Sequence, residues 1–444
     1  MNWAEYYDAE RKKFIEKVST HIERDLSYSR EDDLPLTEED IQKIDAYWSK
    51  YRFAYPNVHY GAFKTFKNRC GFLDVRSLPG AIRAFYLRDH FVNKDYSSAF
   101  QNKALLPLLF PDVRQPRTIA CRMNGYLYDG DYNLISEEEA ADILVKYLAE
   151  EPGRRVIVKP NGSSGGHNIS TLDGSSTRQE IARTIRDIGK AAFVMQEMVR
   201  QSAFTAQFNP SSLNTIRLIT FLYEGKYYPL AGYIRFGTPG AVVDNWHSGG
   251  AMFGINVETG CCNTWAMARS RAKITEINGV QFGPEPLPIP NFDKVKELCK
   301  KLHCRCPYVK LISWDIGLDE HDEPIMIECN FGGEIQGHES LSGSLFGDLT
   351  DELLDRYLLK EFFFKAADDD FIYDEYADHA VICKYIGEAT EIRVPDSFRD
   401  KPVTAIKASA FRGCRAERIS APLNLLQSEA VKTLLADESK KLQR

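Results

Sequence analysis

The stretch LISWDIGLDEHDEPIMIECNFGGEIQG, residues 311–337, holds one apolar strand pattern ending at Leu318, a polar segment Asp319–Glu323, and a second strand pattern from Pro324 to Asn330. Runs rich in β-branched and aromatic residues on either side of a short polar segment predict a β-hairpin. With its turn centred between His321 and Asp322, Asp315 stands opposite Glu328. Asn330 then falls on the same face, because side chains alternate along a strand. Two carboxylates and an amide oxygen on one face of an apolar ribbon repel each other unless a cation lies between them. Magnesium suits such a set, since it takes hard oxygen ligands and shares them with phosphates. The competing reading pairs each acid with its own arginine in a structural ion-pair network.

Upstream, NTIRLITFLYEGKYYPLAGYIRFG (214–237) is a second hairpin, turning at Glu224-Gly225-Lys226. With the centre at Gly225, Arg217 faces Tyr233 and Arg235 follows on the same side. Two guanidinium groups there can clamp a phosphate or carboxylate; an exposed sheet face carrying two cations is the alternative. The loop VVDNWHSGGAMFGINVETG (242–260) sets polar side chains beside Gly249-Gly250 and reads as a substrate-covering segment. His247 is its candidate catalytic group, and Asp244, Asn245 and Ser248 are its candidate substrate contacts. Further upstream, VIVKPNGSSGGHNIS (156–170) runs a buried-strand pattern into Lys159 and then into a loop of Gly, Ser and Asn. Small residues such as Ser163, Ser164 and Gly165 let backbone N–H groups approach an anion, while the lysine adds a point charge. The spacing is neither that of a P-loop nor that of the dinucleotide GxGxxG.

The whole chain sets limits on these readings. Its 444 residues predict two or three structural units. With 43% hydrophobic and 27% charged residues the composition is that of a globular protein. No apolar run approaches the ~18 residues of a membrane span. The charged, helix-patterned start predicts no secretory signal and a cytoplasmic location. A net charge of -7 argues against a nucleic-acid scaffold, which normally carries a basic face. The cluster CKKLHCRC holds Cys299, His303, Cys304 and Cys306 without zinc-knuckle spacing, and Cys299 aligns with Phe292, Val295 and Leu302 on an apolar helix face.

Three zones are expected. Residues 1–100 read as helices, with a Thr-x-x-Asp capping pattern in LTEEDIQKIDAYWSKY (36–51). Residues 101–365 alternate strands, helices and Gly-rich turns, an α+β (α/β) pattern. In 371–444, ICKYIGEATEIRVPDSFRDKPVTAIKASAFRGCRAERISAP (382–422) resembles a leucine-rich repeat of bacterial surface proteins. Solenoid repeats need about three copies to bury a core, so this segment leans on the main domain or on a protein partner, or else is a packed tail with no binding role.

Taken in order, VIVKPNGSSGGHNI, FVMQEMV (193–199), SLNTIRLIT (212–220), VVDNWHSGGAMFGINVETG and SWDIGLDEHDEPIMIECN (313–330) resemble the ATP-grasp superfamily, in its sugar-transfer-associated branch, over residues ~85–350. The resemblance implies an ATP-grasp fold using ATP and magnesium, with two ions the expectation. It implies that Lys159 holds the α- and β-phosphates. Gln196 to Met198 form the hinge strand at the adenine, with Glu197 available to the ribose. Arg217 and Arg235 stabilise the transferred phosphate, and Asp315, Glu328 and Asn330 are the metal set. Lys103 in QNKALLPLLF (101–110) takes the place of an earlier nucleotide lysine, with Gln101-Asn102 where an Asp-Lys pair is common. The implied chemistry is carboxylate activation: ATP gives an acyl phosphate, and an amine converts it to an amide with release of ADP and phosphate. The substrate is a small molecule, a peptide or a cell-surface glycan precursor. A kinase acting on a hydroxyl and a non-catalytic nucleotide-binding module remain the alternatives.

Overall fold

The computed structural model describes residues 2–26, 30–161, 169–241, 244, 249–331, 335–425 and 441–443. The chain divides into two compact units: residues 66–72 with 88–345, and residues 1–65 with 73–87 and 346–444. Among the described residues no helix is long and apolar enough to cross a membrane.

The 66–72/88–345 unit carries two main sheets. Strands β1 (Thr118–Met123), β2 (Tyr126–Asp129), β3 (Leu134–Ile135), β4 (Arg155–Pro160), β5 (Ser170–Asp173) and β6 (Phe193–Glu197) form one, in the order β3-β2-β1-β6-β4-β5. Helices Glu137–Ala149 and Arg178–Asp187, each opened by a capping box (Ser136 with Glu139, Thr177 with Glu180), cover one face. Their Ala140, Leu144, Ile181 and Ile185 pack with Val156, Val158, Phe193 and Met195 of the strands. Burying those alternate positions turns Lys159 and Gln196 to the other face, because the strand period is two.

The second sheet is built from β7 (Ile216–Tyr223), β8 (Lys226–Phe236), β9 (Ala251–Asn256), β10 (Cys261–Ala268) and β11 (Lys273–Ile274), then, after the short β12 (Glu276–Ile277), β13 (Val280–Gln281) and β14 (Leu287–Pro288), from β15 (Leu311–Leu318) and β16 (Pro324–Phe331). Its order is β11-β10-β9-β8-β7-β15-β16, with β14 paired to β10 off this path. Helix Phe292–His303 packs Val295, Cys299 and Leu302 into a core with Leu218, Ile234, Trp314 and Ile316. Every residue of β15 is buried, as a central strand requires.

Both hairpins pair their predicted residues by a route the sequence did not show. The β7–β8 turn is the two-residue Glu224-Gly225, both with positive φ (46° and 74°), the geometry that matches strand twist. It pairs Tyr223 with Lys226 and Thr220 with Pro229; an extra residue, Leu230, then shifts the register so that Arg217 meets Tyr233. In β15–β16, Leu318 pairs with Pro324 and Ile316 with Met326, centring the turn on His321. One extra residue, Ile327, restores Asp315 opposite Glu328. Without that bulge the same register would set Ile327 against Asp315 and turn Glu328 to the apolar face, since a one-residue slip inverts a strand. The two bulges therefore decide which face carries the charged groups.

His303 belongs to the core rather than to a metal cluster. Trp314 Nε1–H donates to Thr220 Oγ1 at 2.9 Å, Thr220 Oγ1 lies 2.6 Å from His303 Nδ1, and His303 Nε2 lies 2.9 Å from the Val309 carbonyl. Nε2–H donation to that carbonyl leaves Nδ1 as the acceptor, so this chain suits a neutral ring. Burial pushes the pKa down to about 4 from the ordinary 6.5, against the opposing pull of the Val309 carbonyl. Between those values the unfolded chain binds a proton that the folded chain does not. Stability should therefore fall as pH drops from about 6.5 towards 4, by roughly 3 kcal/mol from this group. Urea midpoints measured across that window check it, and a flat profile would contradict the assignment.

In the other unit the two ends of the chain fold together. Helix Glu38–Trp48 starts on the predicted capping box of Thr37 and Asp40 and buries Ile44 and Trp48. Tyr47 and Tyr51 donate to Asp351 and Asp355, each at 2.7 Å, and Arg11 of helix Trp3–Leu26 pairs with Glu375 at 3.1 Å. Strands β17 (Phe364–Ala367), β18 (Phe371–Glu375) and β19 (Ala380–Tyr385) form antiparallel pairs, and β19 then pairs in parallel with β22 (Lys401–Ile406), flanked by β21 (Ser397–Phe398). A second ladder runs β20 (Glu391–Arg393), β23 (Arg418–Ser420) and β24 (Lys441–Gln443), all parallel, pairing Glu391 with Arg418 and Arg418 with Lys441. Its rungs thus recur at 27 and 23 residues.

Candidate nucleotide and metal site

The charged face of the second sheet centres on Asp315, 1% exposed. Arg217, directly opposite on β7, donates from Nε and Nη2 to its two oxygens, both at 2.7 Å, in the two-bond fork that suits a guanidinium. Arg235 donates from Nη2 to Asp315 Oδ2 at 3.0 Å and to Thr215 Oγ1 at 2.6 Å. Its Nε lies 3.6 Å from Asp244, which also accepts the Thr215 amide at 2.9 Å. Burial alone would raise the Asp315 pKa, but the two guanidinium groups hold the carboxyl well below the usual range. For Asp244 burial wins, and its pKa is raised despite Arg235 and the Thr215 hydrogen bonds.

On the other side of Asp315, Asn330 donates to Asp315 Oδ2 at 3.3 Å and to Glu328 Oε1 at 3.4 Å. Glu328 pairs with Lys103 at 3.0 Å. The first sheet supplies Lys159, whose Nζ donates to Gln196 Oε1 at 3.4 Å; Gln196 in turn donates to Thr118 Oγ1. Burial lowers the Lys159 pKa, Lys103 adds to that, and Glu328, Asp244 and Asp315 oppose it, so all four lie within electrostatic reach of one ammonium. Segments more than 150 residues apart in sequence therefore meet at one place.

The donor chemistry fits magnesium. Asp315, Glu328 and Asn330 offer hard oxygens on one face, and the two hydrogen bonds made by the Asn330 amide nitrogen leave its oxygen uncommitted. Among the described residues no group of three or more His, Cys, Asp and Glu side chains is arranged to hold a metal; this candidate set has two acids and an amide. The charge balance agrees. Lys103, Lys159, Arg217 and Arg235 outnumber Asp244, Asp315 and Glu328 by a single charge, too little to neutralise a polyphosphate. A polyphosphate entering here therefore needs cations brought with it.

Other expected site residues are placed differently. Glu197 pairs with Val156, a core-facing position, and so lies on the face opposite Lys159. There its carboxylate accepts the Arg117 amide at 2.9 Å and the Tyr147 hydroxyl at 3.4 Å. The Met198 amide donates to the Arg155 carbonyl. A cavity of about 430 Å³ at the end of β6 is bordered by Glu197, Met198, Arg117, Arg155 and Arg200, and by none of the charged residues around Asp315. Ser163, Ser164, Gly165, Asn245, His247 and Ser248 lie outside the described residues.

Sequence reasoning gave no role to several residues that hold this site. Asn161 accepts the Lys103 amide at 3.1 Å and donates to Asn102 at 2.6 Å, tying the end of β4 to the Lys103 segment. Thr215 joins Asp244 to Arg235. Asn161 follows Lys159-Pro160 directly and Thr215 stands two residues before Arg217, so proximity to a candidate was the only available signal.

Residues 92–343 match the family described as sugar-transfer-associated ATP-grasp. No curated protein matches the chain. Among solved structures, it is similar to the ATP-grasp ligase PsnB complexed with a phosphomimetic variant of its minimal precursor, Mg and ADP, at 13% identity and TM-score 0.34, covering 58% of this chain and 60% of that one. It is also similar to D-alanyl-alanine synthetase A of Vibrio cholerae (13%, TM-score 0.33, covering 59% and 64%) and to an L-amino acid ligase of Bacillus licheniformis (13%, TM-score 0.33, covering 63% and 52%). The chain thus spans less than two thirds of the length of each of these proteins. The family match covers more than half of the residues, and the chain belongs to the sugar-transfer-associated ATP-grasp family.

Proposed function

We propose that the protein is an ATP-dependent carboxylate–amine ligase that forms an amide through an acyl phosphate. The observation that carries this reading is the convergence of Lys103, Lys159, Arg217 and Arg235 with Asp315, Glu328 and Asn330 at one place. Lys159 and Lys103 hold the polyphosphate, and Gln196, which accepts from Lys159 on the same face of the sheet, supports placing the base near the end of β6. Arg217 and Arg235 each keep Nη1 free of hydrogen bonds among the described residues and direct it to the transferred phosphoryl group. Magnesium, held through Asp315, Glu328 and Asn330, supplies the neutralising charge that phosphoryl transfer requires.

A substrate carboxylate oxygen bonds to the γ-phosphorus as the bond to ADP breaks. An amine nitrogen then bonds to the acyl carbon as phosphate leaves with the electron pair of the broken bond. The arginines, already oriented by Asp315, need no rearrangement to meet the charge on the phosphoryl oxygens. The substrate is proposed to be an amino acid, a peptide or a glycan precursor. The parallel rungs at the C-terminus support reading that segment as leucine-rich-repeat-like and a surface for a protein partner.

Incubation with Mg-ATP and pooled amino acids, amines and sugar acids tests the activity. A ligase releases inorganic phosphate only when both co-substrates are present and yields a new amide mass. A stable phosphorylated product would instead make it a kinase. Lys159→Ala should weaken nucleotide binding by about ten- to a hundredfold, the worth of a charge-assisted hydrogen bond. Calorimetric titration with AMPPNP measures this, and unchanged affinity would remove Lys159 from the phosphate site.

A further inference from the structure

The helix Ile335–Ser342 follows β16 and carries His338, a residue with no role so far. His338 is 4% exposed, and its Nδ1 is buried with no hydrogen-bond partner among the described residues. An unpaired buried polar nitrogen costs about 1–3 kcal/mol, so its retention calls for a counterpart.

The position of the ring follows from its helix. Asn263 donates to the Leu341 carbonyl at 3.3 Å, and a Cβ built on Gly254 would lie 3.3 Å from Leu341 Cβ, so the helix rests on β9. Gly254 pairs with Tyr233, and Tyr233 with Arg217. Residues directly opposite in antiparallel strands share a face, which places the helix on the arginine-bearing side of the sheet. His338 precedes Leu341 by three residues and so shares its helix side. The imidazole therefore belongs to the wall over the strands that carry Arg217 and Arg235.

The charged groups around Asp315 are of two kinds, and the neutral amide oxygen of Asn330 is assigned above to the metal. Lys103, Lys159, Arg217 and Arg235 are donors suited to phosphate and carboxylate oxygens, while Asp244, Asp315 and Glu328 are carboxylates already engaged by cations. Neither kind suits an amine nucleophile: donors would engage the lone pair it needs for attack, and a carboxylate would favour its protonated form, which has none. A neutral acceptor is needed. Burial keeps the His338 ring uncharged, with its pKa pushed down to about 4.

We propose that His338 is the positioning residue for the amine, its Nδ1 accepting an N–H of the incoming nucleophile and aiming the nitrogen at the acyl phosphate held by Arg217 and Arg235. This rests on the ligase reading above. The nitrogen bonds to the acyl carbon, the carbon–oxygen bond to phosphate breaks with its electron pair leaving on phosphate, and the proton shed by nitrogen passes to that phosphate.

The test uses the full chain, pooled N-acetylated amino acids and sugar acids as carboxylates free of amines, and hydroxylamine as the amine probe. Positional isotope exchange in ATP labelled at the β–γ bridge, run without hydroxylamine, reports acyl phosphate formation alone. Hydroxamate formation reports capture by the amine. His338→Ala should raise the KM for hydroxylamine about tenfold, the worth of one hydrogen bond, while leaving the KM for ATP and the isotope exchange as in the native protein. His338→Asn, whose amide oxygen can accept the same N–H, should recover most of the loss. Native-like hydroxylamine KM in His338→Ala, or isotope exchange falling in step with hydroxamate, overturns this assignment while the ligase reading stands. Absence of exchange in the native protein with every carboxylate overturns the ligase reading, and this assignment with it.

Discussion

Glu328→Gln should lower magnesium-dependent turnover by on the order of a thousandfold while shifting the melting temperature by less than about 4 °C. The carboxylate is a quarter exposed and, among the described residues, has one ion-pair partner, Lys103. A half-open pair of this kind contributes at most about 1 kcal/mol to folding. Glutamine keeps the size, the strand position and an oxygen that can accept from Lys103, and it loses only the charge. If that charge is there to hold a cation beside a polyphosphate, the cost falls on turnover and on the magnesium concentration needed to support it. Turnover within threefold of native at every magnesium concentration would show that Glu328 is an ordinary ion-pair partner.

Asp315→Ala should do something different: abolish turnover and also destabilise the fold by about 3–5 kcal/mol. Read from the sequence as a metal ligand alone, Asp315 predicts a folded, inactive variant. The structure buries it between two guanidinium groups, with three hydrogen bonds from Arg217 and Arg235. Removing it leaves two buried cations without their counter-charge, and breaking a buried pair from one side is expensive. The double variant Asp315→Leu with Arg217→Met, which deletes the strongest pair together, should recover more than half of the lost stability and none of the turnover. Denaturant unfolding and phosphate release decide it. An Asp315→Ala protein as stable as the native one would mean that the arginines find other partners, and that the carboxylate was not what held them in place.

These two variants separate the readings that the sequence left open for the acidic hairpin. Asp315 is bound by arginines, as in a structural network, and its neighbours Glu328 and Asn330 still offer hard oxygens on the same face. The arginine pairs at Asp315 are thus observed, and the proposed metal would draw on the oxygens of the same cluster that these pairs leave available. Pairing could be anticipated because polar turns and strand alternation are local, and local patterns survive in sequence. The bulges at Leu230 and Ile327 could not, since an inserted residue shows only once its partner strand is in place. Glu197 illustrates the same limit: its neighbour Gln196 faces Lys159, and only the packing of helix Glu137–Ala149 against the sheet turns the glutamate the other way.

The amino-acid sequence by itself determined the two hairpins, the lysine that ends β4, the capped helices and the residue types gathered for nucleotide chemistry. All of these depend on interactions between residues near one another along the chain. Tertiary structure alone decided that Lys103, Lys159 and Glu328 share one electrostatic environment, that Asn161 and Thr215 tie its parts together, and that His338 lies on the arginine-bearing face. It also brought the first helices and the last strands into one unit. Those are contacts between segments distant in sequence, and no periodicity of either segment records its partner, because each partner is chosen by the apolar surfaces that folding buries between them.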